Sequence, residues 1–277
     1  MTIDRYAVIG HPIAHSKSPW IHAEFAKSCE ETLDYGLLES SPDADAFKLT
    51  IKQFITEGGK GVNVTMPFKE MAWEIADQLS DRAKLAGAVN TLKFTDDGEI
   101  YGDTTDGVGL VNDLIVNCGL ILKKKRVLIL GAGGAVKGVL QPLLAQSPKQ
   151  VHIANRTVFR AQDLAEIFRN HGNISGGAYD ALPDLGEFDV IINATPANFS
   201  GELPPVTAGI FAVNSLAYDM SYAADSTLFE KWSADNGASK VCNGLGMLVE
   251  QAAESFFIWR NQRPVTQQVL IDLRKTL

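Results

Sequence analysis

Long apolar runs are missing from this chain. None approaches the ~18 residues that a membrane-spanning helix needs, so a membrane is not expected as a partner. The opening residues, MTIDRYAVIG, mix an acid and a base with a very short apolar run, which is not the pattern of a secretory signal. Cysteine is scarce. Cys29, Cys118 and Cys242 are far apart, odd in number and form no CxxC, which argues against a disulfide framework and a structural zinc site. Buried thiols in a reducing cytoplasm are the expectation. The five histidines form no HExxH pattern, and no metal is expected. Positive charge is short as well: 25 Lys and Arg stand against 33 Asp and Glu, a formal net charge of −8. No basic stripe with interleaved aromatics is visible, so nucleic acid is not expected as a partner. An acidic surface gives an anionic substrate no long-range help, and any anion bound here needs a local site. Internal repeats and low-complexity segments are absent too.

What is present is a long, ordinary globular composition. The 277 residues, 45% of them hydrophobic, suit two domains, each with a proper core. Short strand-like runs alternate with amphipathic stretches. Tyr6–Ile9, Leu33–Leu38 and Gly61–Thr65 read as strands, with helices predicted over Trp20–Cys29 and Phe47–Glu57. In the first helix Ser18 is the expected cap and Pro19 the first residue. After Pro67 the stretch EMAWEIADQL reads as a helix with Lys69 in its first turn. Ala88–Phe94 and Ile100–Gly102, joined by Asp96-Asp97-Gly98, suggest a hairpin, and a helix is predicted over 107–118. Lys123–Lys125 reads as a solvated hinge-like loop. Beyond it, Arg126–Leu130, Val151–Ala154, Val190–Asn193, Ala212–Asn214 and Ser239–Cys242 are strand candidates alternating with helices. Fully apolar strands in that alternation predict an α/β fold with a parallel sheet covered on both faces. Met247–Arg260 and Gln267–Lys275 read as final helices.

Residues RVLILGAGGAVKG set Gly131, Gly133 and Gly134 between a buried strand and a helix. Glycines there let the backbone turn tightly and approach a pyrophosphate, whose charge the helix N-terminus meets with N–H groups. The strict GxGxxG pattern fails, because position 136 is valine, and a merely tight turn is the competing reading. A site for NAD usually keeps an acidic residue roughly 20 positions after the glycines. Here Asn155 and Arg156 stand instead, followed by Thr157 and Arg160. Guanidinium groups suit a 2′-phosphate, which points to NADP. Two solvent-facing arginines at the start of a helix are the plainer alternative.

Lys69 is misplaced for its helix. Backbone N–H groups make a helix start positive, and a cation there is disfavoured by a few tenths to ~1 kcal/mol. Reduction of a ketone by hydride leaves an alkoxide that needs a proton, and a partly desolvated lysine is a candidate donor. Asp106, in GDTTDGVG just before the next helix, is its candidate partner or simply a cap. Ser16 and Ser18 near a helix start could form a neutral carboxylate cradle. Asn90 and Gln251 fit either a polar site or a turn and a helix surface.

Together these residues fall into a known pattern. HSKSP at 15–19, NVTMPFK at 63–69, GAVNTL at 87–92, GDTTDG at 102–107, GAGGA at 131–135, NRT at 155–157, YDMSY at 218–222 and GLGMLVEQAA at 244–253 stand in the order and spacing of one family. The chain resembles the shikimate dehydrogenase family, nearly end to end. That resemblance implies an NADP-dependent enzyme of aromatic amino-acid biosynthesis, on the chorismate pathway, that interconverts 3-dehydroshikimate and shikimate. It implies an N-terminal α/β substrate domain over 1–106, joined by helices from 245–277, and a Rossmann-like NADP domain over 107–244, with the active-site groove between them. Lys69 and Asp106 would be the acid–base pair. Ser16, Ser18 and Tyr222 would hold the substrate carboxylate, and Thr65, Asn90 and Gln251 would meet the ring oxygens. Gly131, Ala132, Gly133, Gly134, Ala135, Asn155, Arg156, Thr157, Arg160, Met220 and Gly244 would contact NADP(H). A monomer or homodimer is expected. Thr104, Lys137 and Pro196 depart from the family's commoner asparagine, arginine and serine.

Two rival readings use the same residues. A quinate/shikimate dehydrogenase with relaxed substrate and cofactor choice would need room for one more ring hydroxyl. A silent dinucleotide-binding sensor would have no need to keep Lys69, Asp106 and both serines in register.

Overall fold

The computed structural model describes residues 3–195 and 201–277. Pro196 lies outside the described residues. The chain divides into two compact units, Met1–Gly109 with Val249–Thr276, and Leu110–Leu248.

The first unit opens with β1 (Asp4–Gly10), α1 (Ser18–Ser28), β2 (Leu33–Glu39), α2 (Ala44–Thr56), β3 (Gly59–Val64) and α3 (Lys69–Ile75). Then come β4 (Gln78–Leu79), α4 (Asp81–Ala86), β5 (Thr91–Phe94), β6 (Ile100–Asp103) and α5 (Asp106–Asn112). The sheet order is β2-β1-β3-β5-β6-β4. Helical crossovers make β1 parallel to both β2 and β3. The short link through Gly98, whose φ is 88°, makes β5 and β6 an antiparallel hairpin. Val62 and Val64 join Ile9, Phe47, Ile51, Phe68 and Leu92 in one apolar cluster. Side chains alternate across a strand, so Asn63 between those valines points to the opposite face. There it meets His22 of α1 and Ser255.

The second unit carries β7 (Arg126–Leu130), α6 (Gly134–Leu144), β8 (Gln150–Ala154), α7 (Val158–Phe168), β9 (Ile174–Gly177) and α8 (Leu182–Leu185). It continues with β10 (Phe188–Asn193), β11 (Phe211–Asp219), α9 (Leu228–Asp235) and β12 (Lys240–Asn243). Its sheet runs β12-β11-β10-β7-β8-β9, and every neighbouring pair is parallel. Val127, Leu128, Ile129 and Leu130 are fully buried, as a strand covered on both faces requires. The order reverses between β7 and β10. In such sheets the crevice beyond the strand ends at the reversal is where ligands bind. Helices α10 (Leu245–Arg260) and α11 (Gln267–Arg274) end the chain, and their residues from Val249 belong to the first unit.

Several local expectations are corrected. The helix after Pro67 stops at Ile75 rather than Leu79, because Asp77 N donates to Ile100 O at 2.8 Å and Gln78-Leu79 pair with β6. The helix expected over 107–118 is split: Asp113–Asn117 is a π-helical turn. Strands β4 and β9 and helix α4 were not expected. The cysteines are half-buried rather than buried, and Cys118 Sγ lies 2.8 Å from Cys242 Sγ with both thiols free. Among the described residues no helix is long and apolar enough to cross a membrane. No cluster of three or more His, Cys, Asp or Glu suited to a metal occurs there.

Candidate active site

Lys69 owes its place to the residues before it. Phe68 is fully buried and stacks on Phe47 with ring centroids 5.0 Å apart, which pins the start of α3. Val89 N donates to Lys69 O at 2.9 Å and Asn90 N to Asp103 O at 3.0 Å, so the segment carrying Asn90 is tied to α3 and β6 together. Thr105 and Asp106 follow β6 directly. Lys69 Nζ consequently lies 2.6 Å from Asp106 Oδ2. The two side chains are 31% and 15% exposed. A charge-assisted hydrogen bond of this length is worth more than the helix-end penalty on the ammonium. It also leaves the amine an edge open to solvent.

Asn90 holds the other carboxylate oxygen, with Nδ2 2.8 Å from Asp106 Oδ1. Its orientation is not free. Thr105 N donates to Asn90 Oδ1 at 2.8 Å, and a backbone N–H can only donate, so the amide nitrogen must face Asp106. Gln251, on α10, brings Oε1 to 3.4 Å from both Asn90 Nδ2 and Thr105 Oγ1. Lys69, Asn90, Asp106 and Gln251 therefore share one polar centre.

Ser16, Ser18 and Thr65 belong to the first unit as well. Ser18 is not the cap of α1. It stands inside the helix, and its N–H donates to Ser16 Oγ at 3.3 Å. The turn Ser16 N to Ile13 O brings that hydroxyl round to an orphan helix donor, which sequence spacing alone did not reveal. Thr65 N donates to Ile9 O at 3.0 Å, and its methyl fills the space beside Gly10, where a side chain would come within 2.5 Å. Thr104 is buried beside Asp103, whose Oδ1 accepts from Thr104 N at 2.7 Å.

In the second unit the loop after β7 turns tightly and leaves space open. Gly131 has φ 108°, a conformation other residues resist, and a side chain there would meet Ala194 O at 3.2 Å. Gly133 and Gly134 are exposed, with nothing within 4 Å of where a Cβ would stand. That open space lies at the N-terminus of α6, where N–H groups await an anion. Ala132 and Ala135 flank it, and Lys137 is half-buried one turn on. Val136, where the strict motif has glycine, is fully buried and packs the helix onto its sheet.

Asn155 follows β8 and bends back, Nδ2 to Thr157 O at 2.9 Å. Thr157 opens α7. Arg156 and Arg160 are exposed and form no ion pair among the described residues. Gly244 answers to backbone packing: a side chain would collide with the Met220 carbonyl. Tyr222 is 36% exposed, and burial of its ring pushes the phenol up from its ordinary range.

Known proteins match the chain nearly end to end. Residues 8–92 match the shikimate dehydrogenase substrate binding domain, 116–200 the shikimate / quinate 5-dehydrogenase model and 244–270 the shikimate 5′-dehydrogenase C-terminal domain. A shikimate dehydrogenase (NADP(+)) of Vibrio atlanticus is 54% identical over 276 residues, covering 99% of this chain and 98% of that protein. The chain belongs to the shikimate dehydrogenase family. Within the family, the Thermus thermophilus shikimate 5-dehydrogenase solved with NADP(H) and shikimate superposes with a TM-score of 0.86 at 31% identity, over 99% of this chain and 100% of that one. An Ael1 enzyme from Pseudomonas putida superposes with a TM-score of 0.91 at 45% identity, over 98% of both chains.

Family motifs had singled out most of the polar centre. They include Asn63, Thr91 and Thr105 without giving them a role, and they leave out Tyr35 and Ser255. All five sit in strands, a helix or a turn where a single polar residue carries no distinctive spacing.

Proposed function

We propose that this chain reversibly reduces 3-dehydroshikimate to shikimate with NADPH, with Lys69 and Asp106 as the acid–base pair. The observation that carries the reading is the Lys69 ammonium held 2.6 Å from a carboxylate that Asn90 fixes on its other side. NADPH supplies the hydride when bound. The open space at Gly133 and Gly134 suits its pyrophosphate. Arg156 and Arg160, exposed and without an ion pair among the described residues, suit its 2′-phosphate. Lys69 delivers a proton to the oxygen of the reduced carbonyl, so that one hydride and one proton turn the ketone into the alcohol. Its exposed edge then lets it regain a proton from water. Asp106 keeps the amine aimed. In the reverse direction Lys69 takes the alcohol proton.

We assign the substrate carboxylate to Ser16, Ser18 and Tyr222, and the ring oxygens to Thr65, Asn90 and Gln251. The first unit thus supplies the substrate groups other than Tyr222, and the second unit the cofactor groups. We read the protein as a cytoplasmic monomer or homodimer with no nucleic-acid partner, in keeping with its net charge of −8 and free thiols.

Quinate is the competing substrate, because the model matching 116–200 covers both substrates. Steady-state rates with shikimate and with quinate, each with NADP and NAD, decide it. Shikimate with NADP is expected to be the best pair, and a preference for quinate with NAD would overturn the assignment.

A further inference from the structure

Behind the polar centre, buried side chains form a continuous file. Tyr35 O–H donates to Asn63 Oδ1 at 2.7 Å, and His22 Nε2 lies 3.1 Å from the same oxygen. Burial lowers the His22 pKa to about 3, so the ring is neutral and carries one proton. Nδ1 has no partner, and a proton on Nε2 is the one that is satisfied. Two donors therefore face Asn63 Oδ1, and its amide nitrogen turns the other way, 2.9 Å from Ser255 Oγ. Thr91 Oγ1 donates to Asn90 Oδ1 at 2.9 Å, so the proton in its 2.7 Å contact with Ser255 Oγ comes from Ser255, for which Gln251 O at 3.1 Å is the longer, competing acceptor. Asn90 ends the file on Asp106. Asn63, Asn90, Thr91, Thr105 and Ser255 are all buried.

We propose that Ser255 is a positioning residue for the Lys69–Asp106 pair, the junction of a hydrogen-bond file in which Tyr35, Asn63, Ser255, Thr91 and Asn90 each donate toward the Asp106 carboxylate. Hydrogen bonds aligned head to tail polarise one another, and in a low-dielectric interior the effect grows. A carboxylate at the end of such a file gains a stronger donor in Asn90 and a fixed orientation. Other charges nearby are spent among themselves. Arg82 pairs with Asp103 at 2.7 Å and Glu254 at 3.0 Å, and Arg263 pairs with Glu254. Lys69 is the charged group that faces Asp106 directly.

This inference rests on the acid–base reading above, and one set of variants separates the two. Ser255→Ala and Tyr35→Phe are compared with Lys69→Ala in kcat, KM and pH profile, with melting curves alongside. Each file variant is expected to lose about tenfold in kcat with KM for shikimate changed less than about twofold, while the acidic limb of kcat against pH moves up by roughly half a unit. Tyr35→Phe keeps the ring that stacks on His22 at 4.3 Å, so it reports on the hydroxyl if Ser255→Ala folds poorly. Inactive Lys69→Ala with wild-type pH profiles in both file variants would overturn the file alone. Near-normal turnover in Lys69→Ala would overturn the acid–base reading itself.

Discussion

The two units treat their polar groups in opposite ways. In the first, the charged and amide groups at the centre are already paired: Lys69 with Asp106, Asp106 with Asn90, Asn90 with Thr105. In the second, Arg156 and Arg160 reach solvent without an ion pair among the described residues, and the glycine turn at Gly133 leaves space unfilled. A group that must hold one geometry through a proton transfer gains from fixed neighbours. A group that must take up and release a phosphate gains from having no internal rival for that charge. On the proposed function, the first unit is arranged for chemistry and the second for exchange.

Four measurements would sharpen or break that contrast. The largest effect is expected at Arg82, which clamps the buried Asp103 and Glu254 beside the centre. Arg82→Ala leaves the buried Asp103 without its cation, while Glu254 keeps Arg263, and should cost about 3 kcal/mol in urea unfolding. A loss below about 1 kcal/mol would class the clamp with ordinary surface ion pairs. Lys69→Ala should lower kcat by roughly 100-fold or more, with NADPH affinity in titration calorimetry near normal. Turnover within a few-fold of normal would mean that the proton comes from another group.

Arg156→Ala should weaken NADPH by about tenfold or more while hardly changing NADH, because one charge-assisted phosphate contact is lost. Equal losses for both cofactors would remove Arg156 from the 2′-phosphate. A separate, pH-dependent effect concerns His22, whose pKa burial lowers to about 3 in the folded chain. The unfolded chain binds this proton near pH 6.5. Its contribution is full above that pH and falls by about 1.4 kcal/mol per unit as pH drops toward 3. Unfolding curves for His22→Gln should show a shallower acid slope between pH 6 and pH 4 (about one group's worth). An unchanged slope would mean that His22 is protonated in the folded state.

The parallel sheet was legible because its strands are unbroken apolar runs. Val127–Leu130 and Val190–Ile192 are buried on both faces, so their composition states their environment. Strands β4 and β9 were illegible for the converse reason. Gln78-Leu79 is too short to show a period, and Ile174-Ser175-Gly176-Gly177 lacks apolar character. Ser18 was misread because the residue that meets its N–H, Ser16, depends on a turn closed by Ile13 O. At the candidate site, motif spacing singled out Asn90 and Asp106, but nothing local distinguishes Ser255 on a helix from any other serine.

By itself the sequence determined the alternation of strands and helices, the glycine turn, the basic residues after β8 and the oddity of a lysine opening a helix. These are local properties, written in periodicity and in residue type. Only the tertiary structure decided which way the Asn90 amide points, that Ser16 rather than Ser18 meets the helix start, and that Tyr35, Asn63 and Ser255 stand in one line behind Asp106. Hydrogen bonds between residues as much as 192 positions apart are set by how strands and helices pack, and no short stretch of chain encodes them.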